Sequence, residues 1–324
     1  MTNQGIIVLG MHRNGTSAFA GLLALHGVEL GSELIGANSS NESGHWEHRE
    51  IVALHDELLK ELGSSWNDVC RLPEGWWNGE IVQPFRQRLR GILRRDFASA
   101  GVWGLKDPRM CRLLPLWMPL FAELDSEILY VLVVRPSAET VRSLESRNSF
   151  KPGRSKLLWL QHILESEAST RGKRRMVVTF DQILSEPGAT FNRLGKALGV
   201  DWPKQADPAD LARFIDRRKR HHHVAPQPSS EEWTERAYQA MVAGAGGDEE
   251  SMVARLAPVR DFYEAADPLY RTEIQNMQDL ISENRRIRKK LLAKQDQIKQ
   301  LEDRLDRIES SAVARIARLL RAWK

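Results

Sequence analysis

The sequence predicts an α/β fold, with a central parallel sheet flanked by helices and a long C-terminal coiled-coil helix after it. Three observations carry that expectation. Apolar runs without alternation at 5–9, 128–134 and 175–180 read as strands buried on both faces. Amphipathic patterns at 51–62, 82–97, 113–124, 155–169 and 189–198 separate them, and this alternation is the signature of a parallel sheet covered by helices. From Met277 onward a heptad takes over.

The elements follow in order. Gly5 to Leu9 is ended by Gly10 and a polar loop, and the helical run from Ala18 to Leu23 comes next. The run 103–106 is a strand end leading into a helix, and 128–134 also precedes a loop and a helix. After about Val224 the texture changes: APQPSSEE reads as a linker, 231–242 as a short helix and AGAGGDEE as a second break. The heptad then places Met277, Asn284, Leu291, Ile298, Leu305 and Ala312 at a, with Leu280, Ile287, Lys294, Leu301 and Ile308 at d. Such a stripe, without Pro or Gly, predicts a coiled coil about 50 Å long, and Asn284 at an a position favours a parallel homodimer in register. The alternative is a long amphipathic helix folded onto the main domain. The expected organisation is an α/β domain over 1–225, a linker with short helices over 226–268, the coiled coil over 269–312 and a basic amphipathic tail over 313–324.

At 324 residues the chain exceeds the usual single domain of about 100–200. Its net charge of +4 is unevenly spread. Residues 269–324 carry 14 Lys and Arg against 8 Asp and Glu, and residues 1–268 carry 33 against 35. The main domain is therefore no nucleic-acid binder by charge. The tail sequence VARIARLLRAWK has basic residues and no acid, with Ile316, Leu319, Leu320 and Trp323 together at helical spacing. Three readings stay open for it: peripheral contact with anionic lipid, a solvated coiled-coil end, or contact with another protein. The run 128–134 is shorter than the roughly 20 residues of a membrane span, and MTNQGIIVLG has no basic patch before its apolar run. Two cysteines, Cys70 and Cys111, imply no oxidising compartment. The expected location is the cytoplasm, with the inner face of the membrane open to the tail.

Two segments have the chemistry of anion sites. The loop Gly10-Met11-His12-Arg13-Asn14-Gly15-Thr16-Ser17 has the glycine spacing of a Walker A loop, with Thr16 where the Lys would stand. Its backbone N–H groups and the following helix N-terminus suit a phosphate, and its positive charge sits on Arg13. Without that Lys, nucleoside triphosphate hydrolysis is disfavoured. Arg135 closes the strand 128–134, and Ser143 lies eight residues later, two turns into the following helix, a spacing at which both could face one anion. A charge-assisted bond of this kind contributes about 1.5–3 kcal/mol.

Together these anchors resemble those of bacterial, P-loop-type sulfotransferases that use 3′-phosphoadenosine 5′-phosphosulfate (PAPS), over about residues 5–223. The segment 178–184 with Pro187 and Leu198-Gly199 resembles the family's strand-acid-leucine-proline-helix element. The resemblance implies that Arg13, Asn14, Gly15, Thr16 and Ser17 hold the 5′-phosphosulfate and that Arg135 and Ser143 hold the 3′-phosphate. It also implies that the basic segment 214–220, with Arg218 and Lys219, closes over that phosphate. Lys106, in Lys106-Asp107-Pro108, resembles the lysine that stabilises the transferring group in tyrosylprotein sulfotransferases. Asp107 and Arg109 are read as fixing geometry or pairing with each other. Glu47, in Gly44-His45-Trp46-Glu47 and opening the helix of Ile51, Leu54, Leu58 and Leu59, is the expected base, with His45 second. The competing role for Glu47 is to charge the first helical turn.

The implied reaction is metal-free sulfuryl transfer to a hydroxyl, with a carbohydrate or glycolipid as the expected acceptor. Trp46, Trp66, Trp76 and Trp77 gather around the acceptor region, by default as core. The run His221-His222-His223 is read as solvated or anion-facing, since consecutive side chains diverge and nothing nearby completes a metal site. Two other classes remain: a small-molecule kinase with a degenerate Walker loop, and a coiled-coil scaffold with an inactive α/β domain.

Overall fold

The computed structural model describes residues 3–36, 44–215 and 232–323. Four strands, β1 (Asn3–Leu9), β2 (Val102–Lys106), β3 (Ser126–Val134) and β4 (Arg175–Thr179), form one sheet in the order β2-β1-β3-β4. Every neighbouring pair is parallel. Helix α1 (Thr16–Leu25) follows β1, and α2 (Arg49–Glu61) and α3 (Gln83–Asp96) precede β2. Helix α4 (Met110–Ala122) leads to β3, while α5 (Ser137–Asn148) and α6 (Pro152–Thr170) lead to β4. After β4 come α7 (Phe180–Ser185), α8 (Pro187–Leu198), α9 (Pro208–Phe214) and α10 (Trp233–Ala245). The last two are α11 (Glu249–Glu309) and α12 (Ala312–Ala322). The predicted α/β class with flanking helices and a long C-terminal helix is what the chain adopts.

Alternate residues of the strands supply the two faces of the sheet. Ile6, Val8, Leu129, Val131, Val133 and Val178 pack with Phe19, Leu22 and Leu23 of α1 and Phe191, Leu194 and Leu198 of α8. Helix α6 lies against β3 and against α4, α5 and α10. Burial on both faces explains why the strands read as unbroken apolar runs. The one gap in the first run, Gly5, pairs with Trp103, whose indole stands 2.3 Å from where a Cβ at Gly5 would lie.

The order β2-β1-β3 has a functional consequence. Chain leaving β1 passes towards β2 on one side while β3 lies on the other, so a crevice is expected outside the carboxyl ends of β1 and β3. Local sequence sharpens both exits. Gly15 takes a left-handed φ of 95° at the N-cap of α1, and Pro136 separates β3 from α5, which holds Arg135 at the strand tip. Thr179 and Gln182 form a reciprocal capping box, so β4 turns into α7 without an intervening loop.

The chain divides into two compact units, Met1–Glu264 and Ala265–Lys324. Within the first, α10 packs on β4, α5 and α6, so the described part of the segment read as a linker contains a helix of the α/β unit. In the second, the apolar a and d residues from Met277 to Ile308 are each more than half exposed. The heptad pattern runs on to Ala312, but the helix ends at Glu309. The Ser311 hydroxyl accepts the Ala314 N–H and starts α12, so Ala312 belongs to a separate helix. No helix among the described residues is long and apolar enough to cross a membrane.

Candidate functional site

The loop 10–17 sits between two neighbours that the sheet order brings to it, the end of β3 on one side and the end of β2 on the other. On the β3 side, Arg13 Nε donates to Ser143 Oγ at 2.8 Å, and an Arg135 guanidinium nitrogen donates to the Arg13 carbonyl at 3.3 Å. The two anchors singled out in the sequence therefore touch. Arg135 is buried, with Nε 2.8 Å from Glu139 Oε2 and its guanidinium 4.5 Å over the Phe180 ring. The same Phe180 ring closes on Gly15, where a Cβ would lie 2.2 Å from it. Gly15 is thus required both for its backbone angle and for the space its missing side chain leaves.

Asn14 braces this loop. Its Nδ2 donates to the Val133 carbonyl at 3.4 Å, its Oδ1 accepts from Thr140 Oγ1 at 2.8 Å, and its backbone N–H donates to the Met11 carbonyl. The side chain is fully buried and engaged at both ends. Gly10 N–H meets Cys111 Sγ at 3.1 Å, and burial raises that thiol's pKa to about 12. Thr16 is buried in the first turn of α1, which contains no acidic residue and no side-chain cap. The first N–H groups of a helix lack intrahelical acceptors, so this end is electropositive. Burial, then Arg147 and Arg135, lowers the pKa of Arg13: like charges are gathered where an anion would relieve them. Arg147 escaped the sequence reading. Its signal was position, four residues after Ser143 on the same helix.

On the β2 side, Lys106 Nζ lies 3.0 Å from Ser17 Oγ, 3.1 Å from the His45 carbonyl and 2.5 Å from Glu47 Oε1. Both Lys106 and Glu47 are buried. Burial raises the Glu47 pKa above the usual carboxylate value, with Lys106 opposing the shift. Glu47 does not open a helix, as the sequence reading has it. It precedes the N-cap His48 of α2, and its carbonyl accepts from Ile35 N–H. Its carboxylate faces Lys106, and the acid in the first turn of α2 is Glu50. Burial and then Lys106 lower the pKa of His45, whose Nε2 is buried without a hydrogen-bond partner. Three non-glycine residues among those described have positive φ, and two of them, Arg13 at 72° and Trp46 at 57°, belong to this site. Such strain persists where surrounding structure enforces it and clusters at functional sites.

A second layer fixes the end of β2. Asp107 accepts from Arg109 through its Oδ1 and sits 2.7 Å from His55 Nδ1 through its Oδ2. Trp117 Nε1 donates to His55 Nε2 at 2.9 Å, which makes Nδ1 the protonated nitrogen in neutral His55. Burial pushes the Asp107 pKa up, but Arg109 and His55 outweigh it and hold the group well below the carboxylate range. Arg109 also makes two bonds to Asp56. Asp107 and Arg109 pair with each other and fix the turn after Lys106. Among the tryptophans, Trp46 meets Phe214 edge-on, Trp66 packs on His12 and Phe150, and Trp76 packs on Trp77. Arg218, Lys219, His221, His222, His223 and the segment 38–43 lie outside the described residues.

No family model matches the sequence, and no curated protein matches it. Among solved structures, the chain is similar to the sulfotransferase domain from the curacin biosynthetic pathway, with TM-score 0.39 and 13% identity over 66% of this chain and 78% of that one. It is similar to the sulfotransferase domain of a Synechococcus olefin synthase, with TM-score 0.41 and 16% identity over 76% and 95%. For sulfotransferase STF1 from Mycobacterium tuberculosis the TM-score is 0.39 and the identity 13%, over 80% and 77%. Likeness of this degree leaves the assignment to the residues of the site.

Proposed function

We propose that this chain is a PAPS-dependent sulfotransferase that moves a sulfuryl group to an acceptor hydroxyl on a carbohydrate or glycolipid. One observation carries the reading. A single loop is bonded on one side to an Arg and Ser pair suited to a phosphate, and on the other to a buried lysine that also holds a buried carboxylate, a pair suited to transfer chemistry. Bound PAPS would supply an activated sulfuryl group and a stable leaving nucleotide. Sulfuryl transfer resembles phosphoryl transfer in its loose, in-line transition state, so positioned cations and a base are what the protein must provide.

Arg13, Thr16, Ser17, the backbone of Gly15 and the first turn of α1 would hold the 5′ end. Arg135 and Ser143, with Arg218 and Lys219, would hold the 3′-phosphate. Lys106 already reaches Ser17 and Glu47 together, so an anion arriving beside Ser17 competes with Glu47 for the same amino group. Weakening of that contact removes the opposition to burial and raises the basicity of Glu47, which then accepts the acceptor's hydroxyl proton. His45 is the second candidate base, supported by its unpartnered buried Nε2 and the lowered pKa that keeps the ring neutral. On this reading the enzyme works in the cytoplasm as a homodimer. The exposed stripe Met277, Leu280, Ile287, Leu291, Ile298, Leu301, Leu305 and Ile308 supports a parallel coiled coil between two copies.

Calorimetric titration with 3′,5′-adenosine bisphosphate tests the reading. Binding is expected for the native chain, and Arg135→Ala should weaken it about 10–150-fold, the equivalent of 1.5–3 kcal/mol. Unchanged affinity in Arg135→Ala overturns the anchor. Magnesium-dependent ATP binding in place of the bisphosphate would mark a kinase, and binding of neither nucleotide a scaffold.

A further inference from the structure

Helix α12 differs from the rest of its unit in charge and in the arrangement of its apolar residues. At about 100° per residue, Val313, Ile316, Leu319, Leu320 and Trp323 fall within one arc of about 120°. Each is exposed, from 57% for Ile316 to 94% for Trp323. Arg315, Arg318 and Arg321 occupy the opposite side and its flank, with Ala314 and Ala322 among them. All eight acidic residues of 269–324 lie at or before Glu309, so α12 has none.

Those two facts separate α12 from the coiled-coil stripe before it. Interhelical pairing uses facing acids and bases at the edges of the seam, and α11 carries both. An α12 paired with its own copy would set arginine near arginine with no acid to offset it. The cap at Ser311 also breaks the heptad register, so the apolar arc of α12 is no extension of the a and d seam. A surface that is apolar below and negatively charged above meets both faces at once. Trp323 at the helix end suits the boundary, since indole pairs an apolar body with one polar N–H.

We propose that α12 is a peripheral anchor that lies flat on an anionic lipid surface, with its apolar arc in the acyl boundary and its arginines at the headgroups. The inference does not rest on the sulfotransferase reading. It draws on residues of the C-terminal unit alone and survives if the nucleotide site proves to be something else.

Flotation of the full-length chain with vesicles tests it. Vesicles containing phosphatidylglycerol are expected to carry the protein, and pure phosphatidylcholine to retain far less. Each arginine near an anionic surface contributes about fivefold, so three give a preference on the order of a hundredfold at low salt, falling as salt is added. Leu319→Glu should abolish flotation, and Arg315→Glu with Arg318→Glu should remove the preference for anionic lipid. Circular dichroism and nucleotide binding of these variants should match the native chain, because none of these residues belongs to the strand-tip site. Failure to float with either vesicle, equal flotation with both, or indifference to Leu319→Glu overturns the proposal. Leu319→Glu that halves the solution mass without affecting flotation would instead assign the arc to a second copy, and also overturns it.

Discussion

The strand tips of the α/β unit and the helices of the C-terminal unit solve opposite problems. Around loop 10–17 the polar groups are buried and engaged: Asn14, Glu47, Lys106, Asp107, Arg135 and Glu139 all lie below a tenth exposed. Along 277–323 the large apolar side chains are the exposed ones. Burial of charge is tolerable only where each group meets a partner, so the first region is assembled before any ligand arrives. Exposure of a long apolar stripe is unfavourable in water, and the two associations proposed above for this region would each cover part of it. The contrast is between buried, paired charge in one unit and exposed apolar surface in the other.

The largest effect expected from breaking this contrast is at Glu47. Glu47→Gln should lower turnover about 10²–10⁴-fold while sparing affinity for 3′,5′-adenosine bisphosphate, measured by initial rates and calorimetry. Because burial raises the Glu47 pKa, the acidic limb of the native pH–rate profile should stand above the range of an exposed glutamate. Retained turnover in Glu47→Gln, with loss in His45→Gln, would move the base to His45.

Next is Gly15→Ala, which adds a Cβ 2.2 Å from Phe180 at a φ of 95°. A loss of roughly 2–4 kcal/mol in denaturant unfolding is expected. Adding Phe180→Leu should recover the part due to the clash and leave the part due to the backbone. Full recovery would mean that the backbone angle carries no strain.

The buried histidines sharpen the contrast through pH. Burial lowers His162 to about 3 and His12 well below its ordinary value, so each stays neutral in the folded chain while the unfolded chain takes up protons below about 6.5. The stability they confer is present above that pH and lost as pH falls towards the folded values, at up to about 1.4 kcal/mol per pH unit for each histidine. Unfolding free energies at pH 7 and pH 5 check this, and His162→Gln should flatten the slope. An equal slope in the variant would remove His162 from the account. The smallest effect belongs to the second unit, where Asn284→Leu should raise the thermal midpoint of the dimer by the equivalent of about 1–2 kcal/mol while loosening its register. Sedimentation showing a monomer throughout would break the dimer reading itself.

Much of the fold was legible because strands buried on both faces have an unmistakable apolar signature, as 5–9 and 128–134 do. The loop 10–17 was legible from glycine spacing, and Arg135 from its place at a strand end. Glu47 was found by resemblance but placed in the wrong element, since its carboxylate answers Lys106 across 59 residues while its backbone lies just before the Leu34–His48 bridge and the N-cap of α2. The brace made by Asn14 had no local pattern to betray it, and Arg147 showed only its helical spacing from Ser143. His55 looked like one more residue on an amphipathic helix, yet it links Trp117 to Asp107.

By itself the sequence determined which segments are strand and helix, where glycine must turn the chain, and where acids are missing, because periodicity, backbone freedom and charge are local properties. Only tertiary structure decided that β2 and β3 flank β1, and so that Lys106 and Arg135 stand on either side of one loop. Lateral order in a parallel sheet is set by how crossover helices pack on its faces, and no spacing along the chain encodes it.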